Sequence, residues 1–305
     1  MYLHDYSNFR ALIEAIAFER RILPEIVEKD YWVMHALYGL QKVGLTFYLK
    51  GGTSLSKGYS LIERFSEDLD LMIEPPAGME VAQGANQESP KHIATRKAFF
   101  SWVEQKIEIP GFQTSKVSID PKARGLDLVL SYDSFFETNE VLKPGILLEI
   151  GFDQISPNAP RDISSWAVDS ALLRSLTDVQ DNRAKRVSIY NSEYTFVEKL
   201  QAIMKKHEQQ KAPREWMRHY YDVYMLLGTN EVQQFIGTSD YQLHKEKRFK
   251  SLPLDLSNAA AIVLTDSAIF EKYRAAYELE SSLYFGNQPK FNLIADRLRN
   301  WSAKL

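Results

Sequence analysis

Between Phe47 and Ile73 the chain has few conformations open to it. Phe47-Tyr48-Leu49 is a short apolar run of the kind that forms a buried strand, and Gly51-Gly52 follows almost at once. Paired glycines predict a turn at which the backbone can approach a ligand closely. From Thr53 to Leu61 the residues are small and polar, then amphipathic, which predicts a helix with Thr53 as its N-cap. A second strand should follow. Because side chains alternate along a strand, Ser66, Asp68 and Asp70 would share one face while Leu69, Leu71 and Ile73 take the other. Two carboxylates so placed repel each other unless a cation lies between them. The pattern suits Mg²⁺ (Mn²⁺ is an alternative), which takes a few carboxylate oxygens and completes its shell with water and substrate phosphates. GGTSLSK is not a P-loop, since the spacing of that motif is not met.

The rest of the chain predicts an α/β part followed by a helical part. Helices are expected at 8–22 and 24–40, with Pro24 at a favoured first-turn position. Residues 75–90 read as a surface loop, and a helix at 91–106 follows. Strands are expected at 112–119, 125–132 and 145–152. The last, GILLEIGF, is apolar except for Glu149, and an ionisable group there needs a partner or a metal. Beyond Asn158 the pattern is mainly helical, with helices at 168–175, 193–208, 214–228, 258–280 and 290–301, Thr195 capping the second of these. These features divide the chain into residues 1–180 and 181–305, and its 305 residues suffice for two cores.

The absence of cysteine rules out disulfides and thiolate metal sites. No apolar stretch has the length of a membrane span, and the N-terminus lacks the unbroken apolar core of a signal peptide. A cytoplasmic protein with no membrane partner is therefore expected. A net charge of −3 argues against a general nucleic-acid coat. The basic residues are nevertheless clustered: Lys199, Lys205, Lys206, Lys211, Arg214 and Arg218 lie close in sequence, and 183–186 and 244–250 are two further concentrations. A local basic surface suits a phosphate-bearing substrate held at one site better than sliding along a duplex.

Glycine turn, helix and Asp-x-Asp strand together resemble the signature of the polymerase-beta-type nucleotidyltransferases. The fuller string, GGTSLSK and then RFSEDLDL from Arg64 to Leu71, resembles one branch more closely. That branch is the AbiEii/AbiGii-type nucleotidyltransferase toxins of abortive-infection and type IV toxin–antitoxin systems. Fifteen residues separate Gly52 from Asp68, long for the wider superfamily but usual in this branch. The resemblance continues in Lys29-Asp30-Tyr31-Trp32, in TFVEKLQA from Thr195, in RHYYDVY from Arg218, and more weakly in 270–298. Some relatives read Arg-Asp where this chain has Arg218-His219. A role for that aspartate is absent here, and Asp222 is the safer match.

The resemblance implies a nucleotidyltransferase-like mixed sheet flanked by helices, then a mainly helical C-terminal lobe that completes the site. It implies transfer of a nucleoside monophosphate from an NTP co-substrate to an RNA hydroxyl, most specifically the tRNA 3′ end, so that translation is blocked. Asp68 and Asp70 would hold the metal. Glu149 would be the third carboxylate and help deprotonate the acceptor, with Asp127 the alternative. Gly51, Gly52, Thr53 and Ser54 would cradle the phosphates at a helix N-terminus. Lys57 or Lys199 would neutralise the leaving pyrophosphate. Ser66 would orient Asp68 or contact a phosphate. Arg64 would pair with a phosphate or lock the strand through a carboxylate, and Asp222 would add an aspartate from a later helix. A cognate antitoxin, of winged-helix type, is implied as partner. Two other functions compete: transfer to a protein hydroxyl (AMPylation), and a degenerate member that binds nucleotide or partner without turnover. The intact Gly51, Gly52, Asp68, Asp70 and Lys199 argue against the latter.

Overall fold

A computed structural model describes residues 1–84, 86–136, 142–174, 176, 178–279 and 284–305. The chain falls into two units, Met1–Gly58 with Phe65–Ile189, and Tyr59–Arg64 with Tyr190–Leu305.

The first unit opens with helices α1 (Phe9–Arg20) and α2 (Pro24–Lys42), and Pro24 stands in the first turn of α2. Strand β1 (Phe47–Lys50) runs straight into a short helix, α3, which begins as Gly51–Thr53 and widens into a π-turn over Ser54–Gly58. Then come β2 (Leu69–Ile73), α4 (Pro90–Lys106), β3 (Gln113–Ile119), β4 (Gly125–Ser131), β5 (Ile146–Gly151), β6 (Asn158–Ile163), α5 (Trp166–Leu173) and β7 (Ala184–Tyr190). The seven strands form one sheet in the order β3-β4-β5-β2-β1-β7-β6. It is mixed: β1 is antiparallel to β2 and parallel to β7, β2 is parallel to β5, and β3-β4-β5 is an antiparallel meander.

Alternation along the central strands puts Leu69, Leu71, Leu126, Leu128, Leu148 and Ile150 in the core, where they are fully or almost fully buried. The opposite face carries one row of polar residues across five strands. In register these are Lys50, Asp70, Glu149, Asp127 and Ser118. Helix α2 is buried on all sides from Ile26 to Leu40. Such a helix is normally apolar throughout, yet Glu28, Lys29 and Asp30 lie inside it.

The second unit is helical: α6 (Ser192–Glu208), α7 (Arg218–Leu226), α8 (Asn230–Phe235), α9 (Ser239–Arg248), α10 (Ala260–Val263), α11 (Ser267–Glu278) and α12 (Phe291–Trp301). Helix α6 packs against α7, α8, α9 and α10, while α12 covers α7, α10 and α11. Tyr220 and Tyr221 are core residues, while Tyr224 is only half-buried. Among the described residues, no helix is long and apolar enough to cross a membrane.

Several local expectations need correction. Thr53 does not cap its helix, which starts two residues earlier; its hydroxyl instead donates to the carbonyls of Asp68 (2.7 Å) and Ser66 (3.3 Å). Strand β2 begins only at Leu69, so Ser66 and Asp68 precede it and Asp70 alone lies within it. Thr195 sits inside α6, which is capped at Asn191. The region beyond Asn158 adds two strands, β6 and β7, before it becomes helical. The helix expected at 258–280 is broken into α10 and α11 by Leu264 in a left-handed conformation (φ 50°), with Asp266 capping α11. Residue 280, and residue 175 at the end of another expected helix, lie outside the described residues.

Candidate active site

The C-terminal end of β1 and the row of residues beside it form the site. Gly51 takes a positive φ of 72° and lies so close to Asp70 that a Cβ built on it would stand 1.8 Å from Asp70 Oδ2. The glycine is thus required twice, by its backbone conformation and by the carboxylate lying against it. The Asp70 carboxylate consequently sits at the N-terminus of α3, where the first N–H groups have no intrahelical acceptor. Gly51→Ala should displace Asp70 and cost only about 1–2 kcal/mol in stability. Nucleotide transfer should fall by about 10²-fold, the scale expected for misplacing a reacting group by an ångström. Rates and thermal melts measured together check this, and activity within a few-fold of wild type would refute it.

Asp70 and Glu149 lie side by side across β2 and β5. Glu149 keeps contact with solvent. Burial of its carboxyl within the site, then the neighbouring Asp70 and Asp68 charges, push it up to about 7. Asp127 is opposite Glu149 on β4, and its carboxylate accepts the Ser118 hydroxyl at 2.7 Å.

Asp68 is buried and points its two oxygens to different fates. Oδ2 accepts the Lys143 ammonium at 2.7 Å, while Oδ1 is enclosed with no hydrogen-bond partner. Among the described residues, no three carboxylate or imidazole groups enclose a single metal position. Asp68, Asp70 and Glu149 therefore do not converge on one point here. Lys143 holds Asp68, while Asp70 and Glu149 stand next to each other on neighbouring strands. The residues nevertheless fit a divalent cation. They present three acids, an orphaned buried carboxylate oxygen, and a lysine already standing where positive charge is wanted.

The hydroxyls of Thr53 and Ser54 are both engaged by backbone, Ser54 Oγ donating to the Gly51 carbonyl at 2.7 Å. Ser66 contributes its carbonyl to Thr53. The Lys57 ammonium is held at 2.5 Å by the buried carboxylate of Asp30 and lies over the Trp166 ring. In the second unit, Arg64 forks onto Asp222 with two hydrogen bonds of 2.7 Å, and Lys199 Nζ lies 3.1 Å from the same carboxylate. Arg64 thus pairs with a carboxylate of its own unit. Asp222 is completely buried. Burial alone would raise its carboxyl, but the Arg64 and Lys199 charges and the Arg64 hydrogen bonds outweigh that and hold it below its ordinary value. Desolvation, and then the neighbouring Lys199 charge, hold His219 well below its ordinary value.

Sequence reasoning missed the role of Glu28-Lys29-Asp30. Glu28 accepts from Ser134 and from the Phe135 N–H, Lys29 binds Glu67 and the Lys143 carbonyl, and Asp30 binds Lys57 and the Trp166 N–H. One turn of α2 thus fixes three separate segments around the site. Three consecutive charged residues within an otherwise apolar helix were the available signal.

A profile of the AbiEii family, described as nucleotidyl transferase AbiEii toxin of type IV toxin–antitoxin systems, matches residues 35–297. The chain belongs to the AbiEii nucleotidyltransferase toxin family. Among solved structures, MenT4, a nucleotidyltransferase toxin from Mycobacterium tuberculosis H37Rv, superposes with a TM-score of 0.55 at 15% identity, over 96% of this chain and 93% of that one. An antigenic nucleotidyltransferase-like protein from Paracoccidioides brasiliensis is more distant, with a TM-score of 0.35 at 15% identity over 73% of this chain and 88% of the other. A search of curated proteins returns no match. This AbiEii member is thus a nucleotidyltransferase of a toxin–antitoxin family. The family implies an NTP substrate and an antitoxin partner.

Proposed function

We propose that this AbiEii protein transfers a nucleoside monophosphate from an NTP to RNA, at the tRNA 3′ end, and that the first unit carries the chemistry. The observation that supports this most strongly is the Asp70–Glu149 pair beside the N-terminus of α3, with Gly51 lying directly against Asp70. The N–H groups of Gly51, Gly52 and Thr53 would receive the triphosphate, since a helix N-terminus favours anions. Asp68, Asp70 and Glu149 would hold a divalent ion, Mg²⁺ by preference. Such an ion, when bound, supplies neutralisation of phosphate charge and polarisation of the scissile bond. Glu149 would accept the proton of the attacking hydroxyl. Its rival Asp127 is already engaged by Ser118, which favours this assignment. Thr53 and Ser66 act at one remove, tying α3 to the peptide that leads into Asp68.

An RNA acceptor is supported by the basic side chains of the second unit. The last turn of α6 carries Lys205, Lys206 and His207, and Lys211 and Arg214 are exposed just beyond it.

The test is to incubate the purified protein and Mg²⁺ with each α-³²P-labelled NTP and either total RNA or total protein. Label is expected on RNA, and sequencing of RNA 3′ ends should show added nucleotides on tRNA. Label confined to protein would establish AMPylation instead, and absence of label from both would mark a non-catalytic member.

A further inference from the structure

Lys143 was assigned no role by its sequence, yet the fold takes unusual care over where it stands. Its side chain is half-exposed, and its ammonium lies 2.7 Å from Asp68 Oδ2. Its main chain is held on both sides. The Lys143 N–H donates to Glu67 Oε2 at 2.9 Å, and the Lys143 carbonyl accepts the ammonium of Lys29. Lys29 is 2% exposed and pairs with the same Glu67 oxygen at 2.6 Å, so one buried ion pair closes a ring around the Lys143 peptide. Withdrawing a lysine and a glutamate from water is costly unless each finds strong partners. Here those partners are a backbone segment whose side chain carries an ammonium to the buried Asp68. A surface lysine that merely drifted onto Asp68 would need no such anchor.

The two oxygens of Asp68 sharpen the point. Lys143 satisfies Oδ2, while Oδ1 is enclosed and unpartnered, so Asp68 still lacks positive charge on one side. A divalent cation and Lys143 would compete for the same carboxylate. An ammonium on a flexible stem can yield Oδ2 and still remain within a few ångströms, because its main chain is fixed. The anions that then enter the site are the phosphates of the nucleotide.

We propose that Lys143 is an exchangeable counter-ion. It neutralises Asp68 in the empty site, gives way to the divalent ion, and then binds the triphosphate of the incoming nucleotide. This rests on the reading of Asp68 as a metal-holding residue.

The experiment measures Mn²⁺ binding by electron paramagnetic resonance, and binding of an α,β-methylene NTP analogue by calorimetry, in wild type, Lys143→Met and Lys143→Arg. Without nucleotide, Lys143→Met should bind Mn²⁺ about threefold to tenfold more tightly, since Asp68 loses its competitor. With Mn²⁺ present, the same variant should bind the analogue about tenfold more weakly. Lys143→Arg should restore both values towards wild type. If Lys143→Met changes neither affinity, or weakens Mn²⁺ binding, the exchange is refuted while the metal site stands. If wild type binds neither Mn²⁺ nor the analogue, the metal site itself is refuted, and the exchange with it.

Discussion

Replacing Asp70 by asparagine is expected to lower nucleotide transfer by about 10³-fold or more while leaving the protein folded and slightly more stable. The two effects have opposite signs for one reason. Asp70 lies against Gly51 and beside Glu149, whose proton affinity its charge helps to raise. Two acids held that close oppose folding when no cation is present, and an amide in place of one removes the repulsion. The same substitution removes a charge that the proposed divalent ion would need. Mg²⁺ should accordingly raise the melting temperature of wild type but not that of Asp70→Asn. Activity within tenfold of wild type, or a variant that loses activity only because it unfolds, would remove Asp70 from the chemistry.

Asp222→Asn should act in the other direction, through the second unit. The native carboxylate answers both Arg64 and Lys199, and all three are almost completely enclosed. Neutralising the acid leaves two buried cations facing an amide. Breaking a buried pair in this way costs roughly 3–5 kcal/mol. Urea denaturation at pH 7 followed by a probe in residues 190–305 would measure it, and a loss below 1 kcal/mol would show that the triad is not a structural lock. The pH dependence has a definite sign. Because the flanking cations hold the Asp222 carboxyl below its ordinary value, its contribution is complete above about pH 4 and is lost as the pH falls further. The difference between wild type and variant should therefore be flat near neutrality and shrink only in acid.

The central strands and the glycine turn were legible because their signals are local. Alternating or continuous apolar runs end at glycines, and Glu149 stands out in GILLEIGF against its neighbours. Strand β6 was not legible. Its sequence, NAPRDI, is polar and contains a proline, which is what the outermost strand of a sheet tolerates. The charged first half of β7 hid it in the same way. Helices α8 and α9 are short and polar, although their caps, Thr229 and Thr238, were there to be read. Within the site, Asp70 and Glu149 could be named from pattern alone. Lys143 could not, because nothing near it in sequence announces the ring formed by Lys29 and Glu67 from far upstream. Lys199 and Asp222 were matched to a nucleotide by resemblance, and the structure joins them to each other and to Arg64.

The charged turn of α2 sets an order of events in the life of the polypeptide. Lys29 waits for a carbonyl 114 positions later, and Asp30 for an amide 136 positions later. A growing chain cannot close either link until those distant segments have left the ribosome, so more than half of the protein must be synthesised before the site takes shape.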